Sequence, residues 1–341
     1  MGEQPLVCIC IPTFNAAETV REMLLSILSQ TYQNLVVHIS DNASTDNTLE
    51  IVQSLSDSRV HIHRNTINVG AEGNFKRCIG LAEGKYTAIF HADDLYEPQM
   101  VEKQVAFLER HTEAGAVFTA AKMIDETGKK IGQIWFPSGL GSFNRLYDFD
   151  TIFKAVLLHS NFLVCPSVMA KTSVYKQSIQ SWRGDLFKSS ADLDVWFRMA
   201  RMHPIGLLPL PLMQYRVNDN QFSAKVRSQT ERADFFLVTE YYLEEKEVQD
   251  ILDSTDLENY ERLDRRNRVL RAVNCFLSAK PVDAKTLLDD FFTYRAWKAG
   301  MQTKRGFGVL IAGLYMRALL FFGLEKTGRF TLRYLKRVMR K

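Results

Sequence analysis

Two hydrophobic periods alternate through the first hundred residues. "LVCICI" (6–11), "LVVHIS" (35–40), "RVHIHR" (59–64) and "YTAIF" (86–90) are short apolar or β-branched runs bounded by turn-forming residues, which predicts four strands. Between them, "AAETVREMLLSILSQ" (16–30), "TDNTLEIVQSL" (45–55) and "GNFKRCIGLAEG" (73–84) space their apolar residues at helical intervals. Asn15 stands where the first helix needs an N-cap, and Gly84 where the third needs a C-terminal stop. Strands joined by helices pair in parallel, so the pattern predicts an α/β fold with a mostly parallel central sheet and helices on both faces. Ligands of such sheets bind beyond the carboxyl ends of the strands. "PTFN", "SDNASTDN", "NTINVG" and "HADD" follow the four strands in turn, so four polar loops converge on one rim.

Further along, "AGAVFTAAKMIDETGKKIGQIWF" (114–136) reads as a strand and a hairpin turning at "ETGKK". "ADLDVWFRMARM" (191–202) reads as a helix, and "PIGLLPLPLMQYRVNDNQFS" (204–223) as a short strand and a loop. From about residue 224 the pattern is helical. The expected organisation is a first domain over 1–223, a helical region over 224–305 and an apolar-then-basic tail over 306–341. Within that tail, "GFGVLIAGLYMRALLFFGL" (306–324) carries one charge, Arg317, in 19 residues. This approaches the length of a membrane span. A charge at the bilayer centre costs about 2.5–3.5 kcal/mol, however. A helix lying on the membrane surface is the preferred reading, with core helices of a second domain and a true span as alternatives.

Composition narrows the setting. With 46% hydrophobic and 24% charged residues, the chain is ordinary globular material able to bury a core. Five scattered cysteines point to a reducing compartment. Cys8 and Cys10 share one face of their strand and read as structural thiols. The N-terminus lacks the basic and apolar regions of a secretory signal, and Leu6 stands where a myristoylation motif wants Ser or Thr. The net charge is +4, but the last 17 residues hold seven Lys/Arg and one Glu. The remainder is therefore slightly acidic, which argues against nucleic acid as a partner. A basic tail beside an apolar segment points to anionic lipid, and so to a cytoplasmic protein peripheral on the cytoplasmic face of a membrane.

Adjacent Asp93 and Asp94 repel each other at a strand end unless a cation joins them. Mg²⁺ or Mn²⁺ is the simplest such cation, since it takes oxygen ligands and bridges carboxylates to phosphates. The alternative is capping of a helix that starts near Glu97 or Pro98. Asp41 and Asn42 follow the second strand. Capping accounts for Thr45 or Asp46 but leaves Asp41 over, placed to accept from the N3–H of a pyrimidine, with the Thr13 hydroxyl near. No G-x-G-x-x-G follows the first strand, so this is not the dinucleotide mode.

In order, "ICIPTFN", "VHISDNASTDNT", "NVGAEGNFKRCIGLAEGKYTAIFHADD" and "SSADLDVWFRMAR" resemble the motifs of the family 2 glycosyltransferases, which have the GT-A nucleotide-sugar-binding fold. The resemblance spans roughly residues 5 to 223. It implies donor contacts from Pro12, Thr13, Asn15, Asp41, Asn42, Asn68, Asn74, His91, Ala92 and Arg216, with Mg²⁺ or Mn²⁺ on Asp93. It also implies an inverting mechanism in which Asp192 is the general base that takes the acceptor's proton. Three positions depart from the family pattern. His91 stands where an Asp is common, Ala191 precedes Asp192 where a Glu is common, and Asn218 follows Arg216 where a His is common. Arg216 is left to pair with phosphate oxygens, and metal binding leans on Asp93. Trp196 reads as core rather than as a sugar platform, and His159, Asn161 and Ser167 fall in a segment like the one that lines the acceptor side. The implied activity moves a sugar from a UDP- or dTDP-sugar to a hydroxyl of a glycan or polyprenyl-linked acceptor in surface polysaccharide biosynthesis. The alternative is a non-catalytic nucleotide-sugar-binding protein with a degenerate site. A nucleotidyltransferase would show a Gly-rich loop followed by Lys or Arg after the first strand, and "PTFNAAET" has neither.

Overall fold

The computed structural model describes residues 4–179, 182–217, 230–289, 291–301 and 303–338. Strands β1 (Val7–Thr13), β2 (Leu35–Asp41), β3 (Val60–Arg64) and β4 (Tyr86–Ile89) pair in parallel in the order β3-β2-β1-β4. Helices α1 (Val20–Leu28), α2 (Thr48–Ser54) and α3 (Gly70–Leu81) make the crossovers. The unbroken apolar run of β1 is explained by burial on both faces. Val7, Ile9 and Ile11 pack with Val20, Met23, Leu24 and Ile27 of α1. Cys8 and Cys10 are buried with their thiol sulfurs 3.6 Å apart, and Cys10 donates to the Cys78 carbonyl in α3. These thiols are structural.

The sheet continues through β5 (Leu95–Tyr96), β6 (Ala116–Ile124), β7 (Lys130–Ile134), β8 (Leu146–Tyr147), β9 (Met169–Lys171) and β10 (Ile205–Arg216). Beyond β4 the order is β9-β6-β10-β5, with β7 on β6 and β8 on β10. The longest pairings, β1 with β2 and β6 with β10, are parallel, whereas β9 is a short antiparallel insert that joins the two parallel halves. Helix α4 (Met100–Arg110) buries Met100, Val101, Val105 and Leu108. The β6–β7 hairpin turns where expected, with the Asp125 carboxylate accepting from the backbone of Thr127 and Lys129.

Two terminator assignments need correction. Asn15 is not a helix cap, because α1 begins only at Val20, after Thr19. Asn15 instead adopts a left-handed backbone (φ 47) and accepts through Oδ1 from the Thr45 N–H at 2.9 Å. Helix α3 ends at Leu81, before Gly84. Gly84 (φ +69) is where β1 and the entry to β4 meet, and a Cβ there would lie 2.6 Å from the Leu6 carbonyl oxygen.

The chain divides into two compact units, Met1–Val156 with Asn161–Asn218, and Leu157–Ser160 with Asp219–Lys341. The described part of the second is helical. Its long helix Ser254–Leu277 opens with a capping box between Asp253 and Asp256. Its core gathers Val269, Ala272, Phe276, Phe291, Leu310, Met316 and Leu319. The apolar segment after residue 305 belongs to helix Lys304–Phe321, which buries Leu310, Met316 and Leu319 while exposing Phe307, Ile311 and Phe321. Arg317 lies 5.4 Å from the ring centre of Phe292. Among the described residues, no helix is long and apolar enough to cross a membrane.

Candidate active site

At the carboxyl ends of β1 and β4 an open cleft of about 460 Å³ is lined by Pro12, Asn15, Asp46, His91, Ala92 and Asp93 among others. The loops that frame it are tied together. The Asn15 N–H donates to the Ser44 hydroxyl at 2.9 Å, the Ala17 N–H to Asp46 at 3.1 Å, and the Thr19 hydroxyl to the Ala92 carbonyl at 2.8 Å.

Of the other residues expected to touch the donor, Thr13, Asp41, Asn42 and Asn74 are buried and Asn68 is exposed. Thr13 is buried and donates to the Ile11 carbonyl. Asp41 is fully buried, accepts from the Ser44 N–H at 3.2 Å and stands 3.7 Å from Arg64. The Asn42 oxygen accepts from Asn65 and from the Val69 N–H, and its nitrogen donates to Asn68 at 2.8 Å and to the Gly70 carbonyl. Asn74 accepts from the Ser40 hydroxyl at 2.7 Å and donates to the Ser40 carbonyl. These side chains knit the ends of β2 and β3 to the start of α3. Buried amides of this kind must be satisfied somewhere, and here they satisfy each other.

The loop after β4 is different. His91, Asp93 and Asp94 each offer a ligand atom, all within 4.8 Å of one another. Asp94 is fully buried. Its Oδ1 accepts from the Arg216 backbone N–H at 2.8 Å, while its Oδ2 is buried with no hydrogen-bond partner. Burial, and then the Asp93 charge, hold the Asp94 carboxyl well above the usual range. Burial also pushes the His91 imidazole down against the opposing pull of Asp93, which favours a neutral ring. A neutral imidazole, a carboxylate and an orphaned buried carboxylate oxygen form a donor set that fits a divalent cation. Asp94 thus fastens the loop to the Arg216 backbone and also belongs to the cluster. It does not cap α4, which starts at Met100 after Gln99.

Arg216 holds this loop from behind. Its guanidinium is 4% exposed and donates to the Asp93 carbonyl at 2.8 Å, the Glu126 carbonyl and the Glu22 carboxylate at 2.9 Å. These bonds hold the guanidinium against the loop that carries Asp93. Asn218 lies outside the described residues.

Asp192 is the second residue of helix Ala191–Met202, two steps after the Ser190 cap position, and accepts from the Leu193 N–H at 2.8 Å. Burial raises its carboxyl from 3.8 to about 6, despite the opposing pull of the Leu193 N–H. A carboxylate with a pKa near the working pH suits general base catalysis. The nearby indole N–H of Trp196 also draws it down, although that nitrogen forms no hydrogen bond of good geometry. Trp196 is core, with its ring edge-on to Phe118 at 5.2 Å. Two residues on, buried Asp194 is clamped by Arg183 at 2.7 Å and Arg198 at 3.0 Å, which fixes the start of this helix. Cys165 escapes a sequence reading. Burial, followed by the charges of Asp192 and Asp94, pushes its thiol up. Its only sequence signal is its position in "NFLVCPS". Asn161 closes a local turn onto the Leu163 N–H, Ser167 is buried against the Val164 carbonyl, and His159 falls in the second unit.

Comparison with known proteins agrees with this geometry. The model for "Glycosyl transferase family 2" matches residues 8–178. A glycosyltransferase of Haemophilus influenzae is 27% identical over 290 residues, covering 80% of this chain and 85% of its own. The Escherichia coli UDP-Glc:alpha-D-GlcNAc-diphosphoundecaprenol beta-1,3-glucosyltransferase WfaP is 35% identical over 104 residues, covering 30% of this chain and 41% of its own. Among solved structures, S. aureus TarS with UDP-GlcNAc superposes with a TM-score of 0.56 at 14% identity, over 87% of this chain and 91% of that one. Mannosyltransferase PcManGT of Pyrobaculum calidifontis, with GDP-Man and Mn²⁺, superposes with a TM-score of 0.52 at 17% identity, over 98% and 85%. The family match covers half of the chain and runs through all four strand-end loops, so this protein is a family 2 glycosyltransferase built on the GT-A fold.

Proposed function

We propose that this enzyme transfers a sugar, with inversion, from a UDP- or dTDP-sugar to a hydroxyl of a glycan or polyprenyl-linked acceptor, in surface polysaccharide assembly. The observation that carries the reading is the His91, Asp93 and Asp94 cluster at the end of β4, whose ligand atoms all lie within 4.8 Å of one another. Asp192 is poised near 6, and the His91, Asp93 and Asp94 set is built for a cation. A divalent cation on Asp93, with His91 and Asp94 as further ligands, would neutralise the diphosphate as it departs. Pro12, Asn15 and Ala92 offer the surface on which the donor lies, above the Asp41 and asparagine scaffold. The acceptor oxygen attacks the anomeric carbon as its proton passes to Asp192, and the bond from that carbon to the diphosphate oxygen breaks. Similarity to WfaP, whose named acceptor is a diphosphoundecaprenol-linked sugar, supports the lipid-linked acceptor. Exposed Phe307, Ile311 and Phe321 beside a basic C-terminal segment support action at a membrane surface.

The test is mass spectrometry of products formed from a panel of nucleotide sugars, lipid extract and Mn²⁺ or Mg²⁺. Metal-dependent appearance of a lipid-linked product one sugar heavier is expected. Donor that is bound but never transferred to any acceptor in the panel or extract would overturn the reading.

A further inference from the structure

The helical unit holds a cavity of its own, about 290 Å³ in volume, at the small end of ligand pockets. Leu263, Phe291, Ala296, Val309 and Leu310 give it apolar walls. Four cationic side chains, Arg262, Arg265, Arg266 and Lys304, also line it, and among the described residues no carboxylate does. That positive charge is poorly balanced from within. Arg265 gives Nη1 to Glu261 at 3.2 Å, but its Nη2 is buried with no acceptor. Arg262 donates to the neutral carboxamide of Asn259. Lys304 opens the 18-residue helix Lys304–Phe321, whose N-terminus favours a negative charge.

Four cations around apolar walls favour an anionic occupant. Inorganic phosphate would leave the apolar walls unfilled. A glycerophospholipid brings two chains and ester carbonyls to a cavity with room for one chain. We propose that this cavity binds the diphosphate head and first carbons of a polyprenyl-linked lipid, with the rest of the chain left in the membrane. The inference rests on the lipid-linked acceptor proposed above and supplies that acceptor with a binding site. Four cations match a diphosphate better than a monophosphate, and the small volume suits the head-proximal end of a single chain.

Farnesyl diphosphate, a short isoprenoid probe, is titrated into the full-length protein alongside inorganic diphosphate and farnesol. Farnesyl diphosphate is expected to bind about tenfold or more tighter than either fragment. Arg266 and Lys304 are exposed, so R266E and K304E leave the fold intact. Each is expected to weaken binding by about tenfold or more. Affinity no better than that of inorganic diphosphate, affinity unchanged in both variants, or full competition by phosphatidylglycerol vesicles would each overturn the site. Transfer by the unaltered enzyme onto a lipid-linked acceptor is measured in parallel. If transfer occurs without binding at this cavity, only the site falls, whereas failure of transfer falls on the acceptor reading.

Discussion

The proposed role of Asp192 as base ties stability to catalysis. Burial raises its carboxyl from 3.8 to about 6. Each factor of ten in proton affinity is worth about 1.4 kcal/mol, so ionised Asp192 destabilises the fold by about 3 kcal/mol relative to a solvated carboxylate. The folded chain holds this proton more tightly than the unfolded chain. Between about pH 4 and pH 6 it therefore binds more protons, and stability falls as pH rises through that window. Above about pH 6 the full penalty is present. Asp192→Asn keeps the oxygen that accepts from Leu193 and removes the charge. The variant should be more stable than the parent by up to about 3 kcal/mol near pH 8, with the difference vanishing below about pH 4.

Urea denaturation across a pH series measures the first effect, and initial rates of transfer the second. Loss of a general base lowers turnover by about 10²–10⁴-fold, while donor affinity persists. In the parent enzyme, turnover should rise with pH through about 6 as Asp192 ionises. A variant with full activity would remove Asp192 from the mechanism. A stability difference that is the same near pH 4 and pH 8 would refute the burial argument, even if activity were lost.

Other expectations follow from the same geometry. Asp93→Asn should abolish stimulation of transfer by Mn²⁺ after chelation, whereas His91→Ala should shift the Mn²⁺ titration to higher concentration; unaltered titrations would remove both residues from the cation site. Asn42→Ala leaves the Val69 N–H without its acceptor and Asn65 with only the longer bond to Asn74, and should destabilise the fold by about 2–4 kcal/mol in denaturant titrations. A cost near zero would mean that the strand-end network is dispensable. Deleting residues 325–341 removes seven Lys/Arg and should abolish salt-sensitive sedimentation with anionic vesicles. Equal sedimentation of the truncated chain would place the membrane contact elsewhere.

The parallel core was legible because its signals are local. β1 and β2 are buried on both faces and therefore read as continuous apolar runs, and α1 carries its buried residues on one helical stripe. The rim follows from topology, so the positions of "PTFN" and "HADD" needed no side-chain detail. Strands of two or three residues, β5, β8 and β9, are too short to carry any period. Side-chain direction on the rim was not legible either. An asparagine or aspartate at a strand end suits donor contact and loop bracing equally well, and the choice is made by partners far away in sequence. Asn74 is turned inward by Ser40, Asn42 by Asn65, and Arg216 is held by Glu22 and the Asp93 carbonyl. Residue type places these groups at the rim, and the closed network fixes how they are oriented there. That sorting has an energetic consequence. The amides beneath the cleft satisfy one another, whereas Oδ2 of Asp94 stays buried without a partner and Asp192 keeps a raised proton affinity. The destabilising electrostatics are thus concentrated on the two carboxyl groups whose cost a bound cation and an acceptor proton would offset.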